Sequence, residues 1–317
     1  MNALLNAPVA APADASVSWV DRRAPAALRP FLRLARADRP IGFWLLLIPC
    51  WWSSALAAGM SANAGAPVAL RALAFMALFA IGAVAMRGAG CTWNDILDRD
   101  IDGRVERTRL RPLPSGQVGL FGAFVFLGLQ ALVGLIVLIC LPPFAIVVAL
   151  SSLGVVVIYP LMKRVIWIPQ LVLGLAFSWG ALMGFAALLE QLPPAAFLLY
   201  AGSILWVVGY DTIYAHQDRE DDEQVGLKSS ARLLGTATRP WLAALYAGAV
   251  VLVGLALTSA HAGPLAYVGL IAFAAHLAQQ VWRLDIDDRA LCLTLFRSNR
   301  DAGLLLFAGI ALAALLA

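Results

Sequence analysis

Charge is scarce in this chain. Only 13% of its 317 residues are Asp, Glu, Lys or Arg, whereas 62% are hydrophobic and the mean hydropathy is +0.82. That balance excludes an ordinary soluble domain and identifies an integral membrane protein. Four cysteines, Cys50, Cys91, Cys140 and Cys292, form no CxxC pair and lie mostly in apolar segments, which makes them inert packing residues. His261 and His276 have no partner spacing and read as packing or loop residues. No Walker-type or Rossmann-type glycine fingerprint stands in context; Gly88-Ala89-Gly90 and the glycines from Gly174 to Gly184 suit close helix packing instead. Residues 1–25, rich in Ala and Pro with Asp14 and Asp21, lack the basic start and apolar run of a signal peptide, and are expected to form a disordered tail before a membrane domain at 26–317.

What the chain does have is long apolar runs. Nine are long enough to cross about 30 Å of hydrocarbon: 40–59, 72–93, 118–140, 144–162, 167–189, 195–216, 240–260, 264–282 and 302–317. Leu141-Pro142-Pro143 and the stretch from Glu190 to Pro194 read as tight turns, because Pro ends helices and holds the preceding residue away from helical angles. Ahead of the first run, Arg29, Arg33, Arg36 and Arg39 mix with Phe31, Leu32 and Leu34, as suits a short helix at the membrane surface.

Two of the runs end in acid. The first runs into Asn94-Asp95-Ile96-Leu97-Asp98-Arg99-Asp100-Ile101-Asp102, where Asn94, Asp98 and Asp102 recur at every fourth residue and share a face if the segment is helical. Two carboxylates about 6 Å apart repel by roughly 3 kcal/mol at an effective dielectric near 20, and at a helix C-terminus they also oppose the macrodipole. A counter-cation is therefore expected. Oxygen donors without His or Cys suit a hard ion such as Mg²⁺, whose shell is commonly completed by water and substrate phosphate. The second run ends at 211–222, where Asp211, Tyr214, Asp218 and Asp222 follow one helical stripe.

The stripes follow the second and sixth runs, so an even number of crossings places them on one side. Of the 23 Lys and Arg, 21 fall on that side and Arg71 alone on the other, which by the positive-inside rule makes the acidic face cytoplasmic. Because the basic residues gather in short loops and not in a stripe interleaved with aromatics, no nucleic-acid partner is expected, and no obligate protein partner is evident. The remaining basic residue, Arg87, stands within the second run two turns above Asn94. A charge there costs at least about 2.5 kcal/mol at mid-span, which marks it as a functional candidate against the alternative of snorkelling.

Together these pieces resemble the UbiA family of membrane aromatic prenyltransferases. The likeness is carried by Arg36-Ala37-Asp38-Arg39-Pro40-Ile41-Gly42, by Met86-Arg87-Gly88-Ala89-Gly90-Cys91 running into Asn94-Asp95-Ile96-Leu97-Asp98 and Asp102, and by Arg107-Thr108 with Arg111 to Gly116. It continues through Tyr159 to Arg164, Pro169 to Gly174, Tyr210 to Ala215, Asp218 to Asp222, and Gly226 to Ser229. The resemblance implies an all-α bundle of about nine transmembrane helices with a central cavity capped by cytoplasmic loops. It implies Mg²⁺ on the diphosphate of a polyprenyl donor, held by Asn94, Asp98, Asp102, Asp211, Asp218 and Asp222, with an aromatic acid as acceptor. Lys163, Arg164, Lys228 and Arg107 are placed to neutralise the leaving diphosphate, Arg87 or Arg36 to hold the acceptor's carboxylate, and Tyr214 or Asp211 to orient its phenol; Asp98, Asp211, Asp218, Lys163 and Arg164 form the catalytic set. The chemistry expected is prenylation of the carbon ortho to the hydroxyl of 4-hydroxybenzoate, a step of ubiquinone biosynthesis, with a naphthoate or haem acceptor, or a secondary transporter, as the alternatives. With no targeting segment read, the expected location is a bacterial inner membrane.

Overall fold

The structure is a computed structural model that describes residues 18–61, 66–104, 108–162, 165–217, 219 and 228–316. Among them the regular structure is helical, and nine helical runs are long and apolar enough to span a bilayer. The chain begins with two short helices, α1 (Trp19–Arg23) and α2 (Arg29–Leu34), followed by α3 (Ile41–Met60) and α4 (Ala66–Asp102). Then come α5 (Leu120–Ile139), the pair α6 (Pro143–Ser151) and α7 (Leu153–Met162), and the pair α8 (Gln170–Phe177) and α9 (Gly180–Leu189). The last part comprises α10 (Pro194–Ala215), α11 (Ser230–Leu234), α12 (Thr238–Ser259), α13 (Pro264–Arg283) and α14 (Arg289–Leu315).

Three departures from the sequence reading concern where helices start and stop. First, α4 does not end with its apolar run at 93 but continues through Asp102. At 1.5 Å per residue its 37 residues span about 55 Å, far more than the hydrocarbon, so its final turns stand at the boundary and carry the acids. Second, α14 starts at Arg289, well before the expected 302, because its first turns are a charged extension of the same helix, N-capped by Asp288, whose Oδ1 accepts from the Leu291 N–H at 2.9 Å. Third, the tail boundary at 25 is too late. Ser18 and Asp21 form a capping box that starts α1, and Asp21 is ion-paired to the buried Arg33 of α2.

The chain divides into two compact units, described separately. The first holds the residues up to Gly42 together with Val84–Val133, hence α1, α2, the C-terminal half of α4 and most of α5. Its core is Leu34, Leu113, Val118 and Ala123, walled by Phe31, Ile96 and Phe126. Phe31 and Phe126 meet edge to face at 5.3 Å. Inside this unit Gln130 of α5 accepts from the Thr92 hydroxyl of α4 at 3.0 Å, which satisfies a polar pair that hydrocarbon would otherwise leave costly.

The second unit holds Phe43–Ala83 and Gly134–Ala317. Trp52, Trp206 and Phe273, all fully buried, form its aromatic centre with ring centroids 4.9–5.8 Å apart. Their polar edges are met by α14: the Trp52 indole donates to the Gly303 carbonyl and the Trp206 indole to Asn299 Oδ1, both at 2.8 Å. Close packing explains the glycines near 180, as their spacing suggested. A Cβ on Gly180 would lie 2.5 Å from Cys50 Sγ and 2.9 Å from the Cys50 backbone nitrogen.

Candidate functional site

On α4 the acids divide into two sets. Asp95 and Asp102 are seven residues apart, within about 20° on the helix, and both are buried. Asn94 and Asp98 lie on the adjoining strip, half-buried, with Asn94 Nδ2 donating to Asp98 Oδ2 at 3.2 Å.

The buried set is neutralised by arginines from elsewhere in the chain. Arg36 Nη2 donates to Asp95 Oδ1 at 2.7 Å; Arg111 Nη1 donates to Asp102 Oδ2 at 2.8 Å and stands 3.6 Å from Asp95. Two guanidinia and two carboxylates therefore alternate at the membrane boundary. Burial alone would lower the Arg36 pKa, but Asp95 beside it, with Cys91 and Asp38 nearby, holds it above the ordinary arginine value. The Arg36 backbone is also unusual: its φ of 55° is left-handed, uncommon for a residue with a Cβ. It sits just past α2, where glycine ordinarily closes a helix, and the Ala37 N–H reaches back to the Leu32 carbonyl at 2.9 Å. That closure and the Asp95 pair hold a conformation the residue would not choose alone. At the other end of the array, the Thr108 hydroxyl caps α4 by donating to the Asp102 carbonyl at 2.9 Å.

Several assigned residues are thus placed otherwise than spacing implied. Asp102 lies about 20° around the helix from Asp95 and about 40° from Asp98, and its carboxylate is engaged by Arg111. Arg36 is engaged with Asp95 and, through Nη1, with the Arg33 carbonyl. Sequence reasoning gave Asp95 and Arg111 no role; an aspartate at i and i+7 of the stripe was the available signal, but Arg36, the partner of Asp95, lies 59 residues away in the chain. Arg87 is half-buried on α4, its guanidinium lying against Gly42 at the start of α3.

In the second unit, α10 ends at Ala215 and carries Asp211 and Tyr214 of that stripe. The Tyr214 ring packs on Phe296 at 4.6 Å. Just past the end, His216 Nε2 is 3.0 Å from Thr238 Oγ1, and burial, with Arg219 nearby against an opposing Asp287, lowers its pKa to about 4. Lys228 donates to the Val165 carbonyl at 2.8 Å, and with Arg232 it lies over the Trp167 ring. Asp287 pairs with Arg219 at 3.0 Å. Arg107, Lys163, Arg164, Asp218 and Asp222 lie outside the described residues.

Among the described residues no three His, Cys, Asp or Glu converge as a complete metal cage. Asn94 and Asp98 nevertheless fit a hard divalent cation, since their side chains meet at hydrogen-bond distance and carry oxygen donors with no soft ligand among them. One or two protein oxygens with the rest of the shell left to water and phosphate is the usual manner of Mg²⁺.

Comparison with known proteins agrees with this chemistry. The UbiA prenyltransferase family matches residues 46–315. A mitochondrial 4-hydroxybenzoate polyprenyltransferase of Bos taurus is 46% identical over 305 residues, 95% of this chain and 80% of that protein. Among solved structures, the apo structure of a UbiA homologue from Aeropyrum pernix K1 aligns with a TM-score of 0.69 at 26% identity, covering 85% of this chain and 97% of that one. A UbiA homologue from Archaeoglobus fulgidus bound to GPP and Mg²⁺ aligns with a TM-score of 0.64 over 91% of this chain and all of that one; at 17% identity the likeness is one of fold.

The expected bacterial inner-membrane location does not hold, because relatives this similar are mitochondrial proteins of eukaryotes. The reason is physical: an excess of Lys and Arg on one side reports how a chain is oriented in its bilayer, not which bilayer it occupies. With a family match over most of its length and a relative of that identity, the chain belongs to the UbiA prenyltransferase family.

Proposed function

We propose that this chain transfers a polyprenyl group from a polyprenyl diphosphate to the ring carbon ortho to the hydroxyl of 4-hydroxybenzoate, in the manner of the bovine relative's name. The observation that carries the reading is the division of acids on α4: Asn94 and Asp98 present oxygen donors at the membrane boundary while Asp95 and Asp102 are held by Arg36 and Arg111. An apolar chain dissolves among the helices and its diphosphate stays at the polar edge, as a prenyl donor requires.

Asn94 and Asp98 would hold Mg²⁺, and Asp211, Asp218 and Asp222 of the second stripe are assigned the same task. When bound, the ion supplies Lewis acidity that draws charge from the leaving diphosphate. Asp102 anchors Arg111 beside these donors. Lys228, Lys163, Arg164 and Arg107 are assigned to the diphosphate's developing charge. The allylic carbon–oxygen bond breaks with its electron pair going to diphosphate, the ring carbon ortho to the phenol bonds to the allylic carbon, and loss of that carbon's proton restores aromaticity. Tyr214 and Asp211 orient the phenol. Of the two arginines considered for the acceptor's carboxylate, Arg87 is the better assignment, because a substrate reaching Arg36 would compete with a fully buried Asp95. Release of prenylated product from radiolabelled prenyl diphosphate and 4-hydroxybenzoate tests the reading: product is expected with Mg²⁺ and none with chelator. Failure to prenylate any hydroxybenzoate in a folded preparation would overturn it.

A further inference from the structure

We propose that Gly42 is a positioning residue for the acceptor: its missing side chain seats the Arg87 guanidinium that reads the acceptor's carboxylate. The inference rests on the assignment of that carboxylate to Arg87, and it identifies what sets that arginine's place.

Gly42 is buried in the first turn of α3. A Cβ built there would lie 3.0 Å from Arg87 Nη2 and 3.1 Å from Cζ, with Nε closer still. Real side chains do not approach in this way, so the guanidinium occupies the volume that any larger residue would fill. Local preference runs against the choice, since glycine in a helix costs about 0.5–1 kcal/mol relative to alanine. Its φ is not left-handed, so no backbone requirement explains it. Room for Arg87 does.

The direction of Arg87 gives that room a purpose. Arg87 precedes Asn94 by seven residues and Asp98 by eleven, so all three project from a strip about 40° wide on α4. A guanidinium set on Gly42 therefore shares a face with the donors assigned to the metal. A planar carboxylate is recognised by the guanidinium fork only at defined distance and angle, and a displacement of about 1 Å in such a clamp can cost on the order of a hundredfold.

The atoms that an added methyl would meet are the far end of a flexible side chain, not backbone. Gly42→Ala should then fold normally and move the guanidinium, which separates positioning from a structural role. The test uses the full chain, purified in detergent, with geranyl diphosphate and Mg²⁺, and compares 4-hydroxybenzoate with the neutral 4-hydroxybenzamide. For Gly42→Ala the KM for 4-hydroxybenzoate should rise about tenfold or more, with the donor KM changed by less than about twofold and the thermal midpoint not lowered. The preference for acid over amide should shrink in Gly42→Ala and vanish in Arg87→Ala. The double variant should match Arg87→Ala alone, since Gly42 acts only through that side chain. A wild-type acceptor KM in Gly42→Ala, equal losses on acid and amide, effects that multiply with those of Arg87→Ala, or a lowered midpoint would each overturn the proposal. If Gly42→Ala is silent while Arg87→Ala loses the acid preference, the arginine assignment stands and only the seat is wrong; if Arg87→Ala keeps the preference, both fall.

Discussion

The two acid-bearing helix ends are alike in sequence and differ in how their polar groups are supported. At the end of α4, buried carboxylates are matched by guanidinia, in the pairs Arg36–Asp95 and Arg111–Asp102. Among the described residues around the end of α10, the buried support comes from neutral groups: the Thr212 hydroxyl donates to the Val208 carbonyl at 2.7 Å, Ser230 donates to Thr212 at 3.2 Å, and His216 meets Thr238. Aromatic rings supply the rest, with Tyr210 and Tyr214 both packed on Phe296. A helix end that buries charge needs opposite charge brought to it, whereas one that buries hydroxyls and rings needs only hydrogen bonds and packing. The first end is therefore stiffened by a few strong, mutually dependent pairs and the second by many weaker ones.

The largest expected effect follows from that difference. Asp95→Asn removes the buried counter-charge of the half-buried Arg36 and should destabilise the protein by about 3 kcal/mol, read as a lowered denaturation midpoint in detergent. Its counterpart near α10, Thr238→Val, removes two neutral hydrogen bonds, to His216 and to the Gly235 carbonyl, and should cost about 1–3 kcal/mol. Equal losses would erase the distinction between the two ends.

Next in size is catalysis. Asp98→Asn and Asp218→Asn should each lower kcat/KM at least about a hundredfold, roughly 3 kcal/mol, with the double variant far less impaired than the product of the two if the stripes act as a unit. Excess Mg²⁺ should partly rescue each single variant. A folded Asp98→Asn enzyme with near-normal, Mg²⁺-dependent turnover would remove the α4 stripe from the chemistry. Asp102→Asn sharpens the contrast within α4: with Asp102 anchoring Arg111, its loss should raise the donor KM about tenfold and leave the Mg²⁺ concentration for half-activity within about twofold of wild type.

The smallest effect concerns the surface hairpin of α1 and α2. Burial works to raise the Asp21 pKa, but the Ser18 N–H and the Arg33 guanidinium outweigh it and bring it to about 2, against an ordinary 3.8. A depressed carboxylate pKa stabilises the fold fully above pH 3.8, where the unfolded chain is ionised too, and that contribution is lost as pH falls toward 2. The midpoint difference between wild type and Asp21→Asn should shrink through that window. A difference constant between pH 5 and pH 2 would show that the Asp21 charge contributes nothing.

Composition and spacing determined a good deal by themselves. Nine apolar runs appear as nine helical spans among the described residues, because crossing hydrocarbon demands length and apolarity that any local window reveals. The fourfold spacing of Asn94 and Asp98 correctly placed them side by side on α4, since a helix's period is a local property. Only the tertiary structure decided which acids are buried against arginines. Asp95 and Asp102 differ from Asp98 by a fraction of a turn, yet they are buried while Asp98 is half-buried, and the Arg36 partner of Asp95 comes from 59 residues away. Likewise Gly42 reads as ordinary helix until Arg87, from a different helix, is seen to occupy the space its side chain would need. Periodicity states which residues share a face; which cation or which void meets that face is settled only when distant segments pack, because charge pairing and excluded volume act through space and not along the chain.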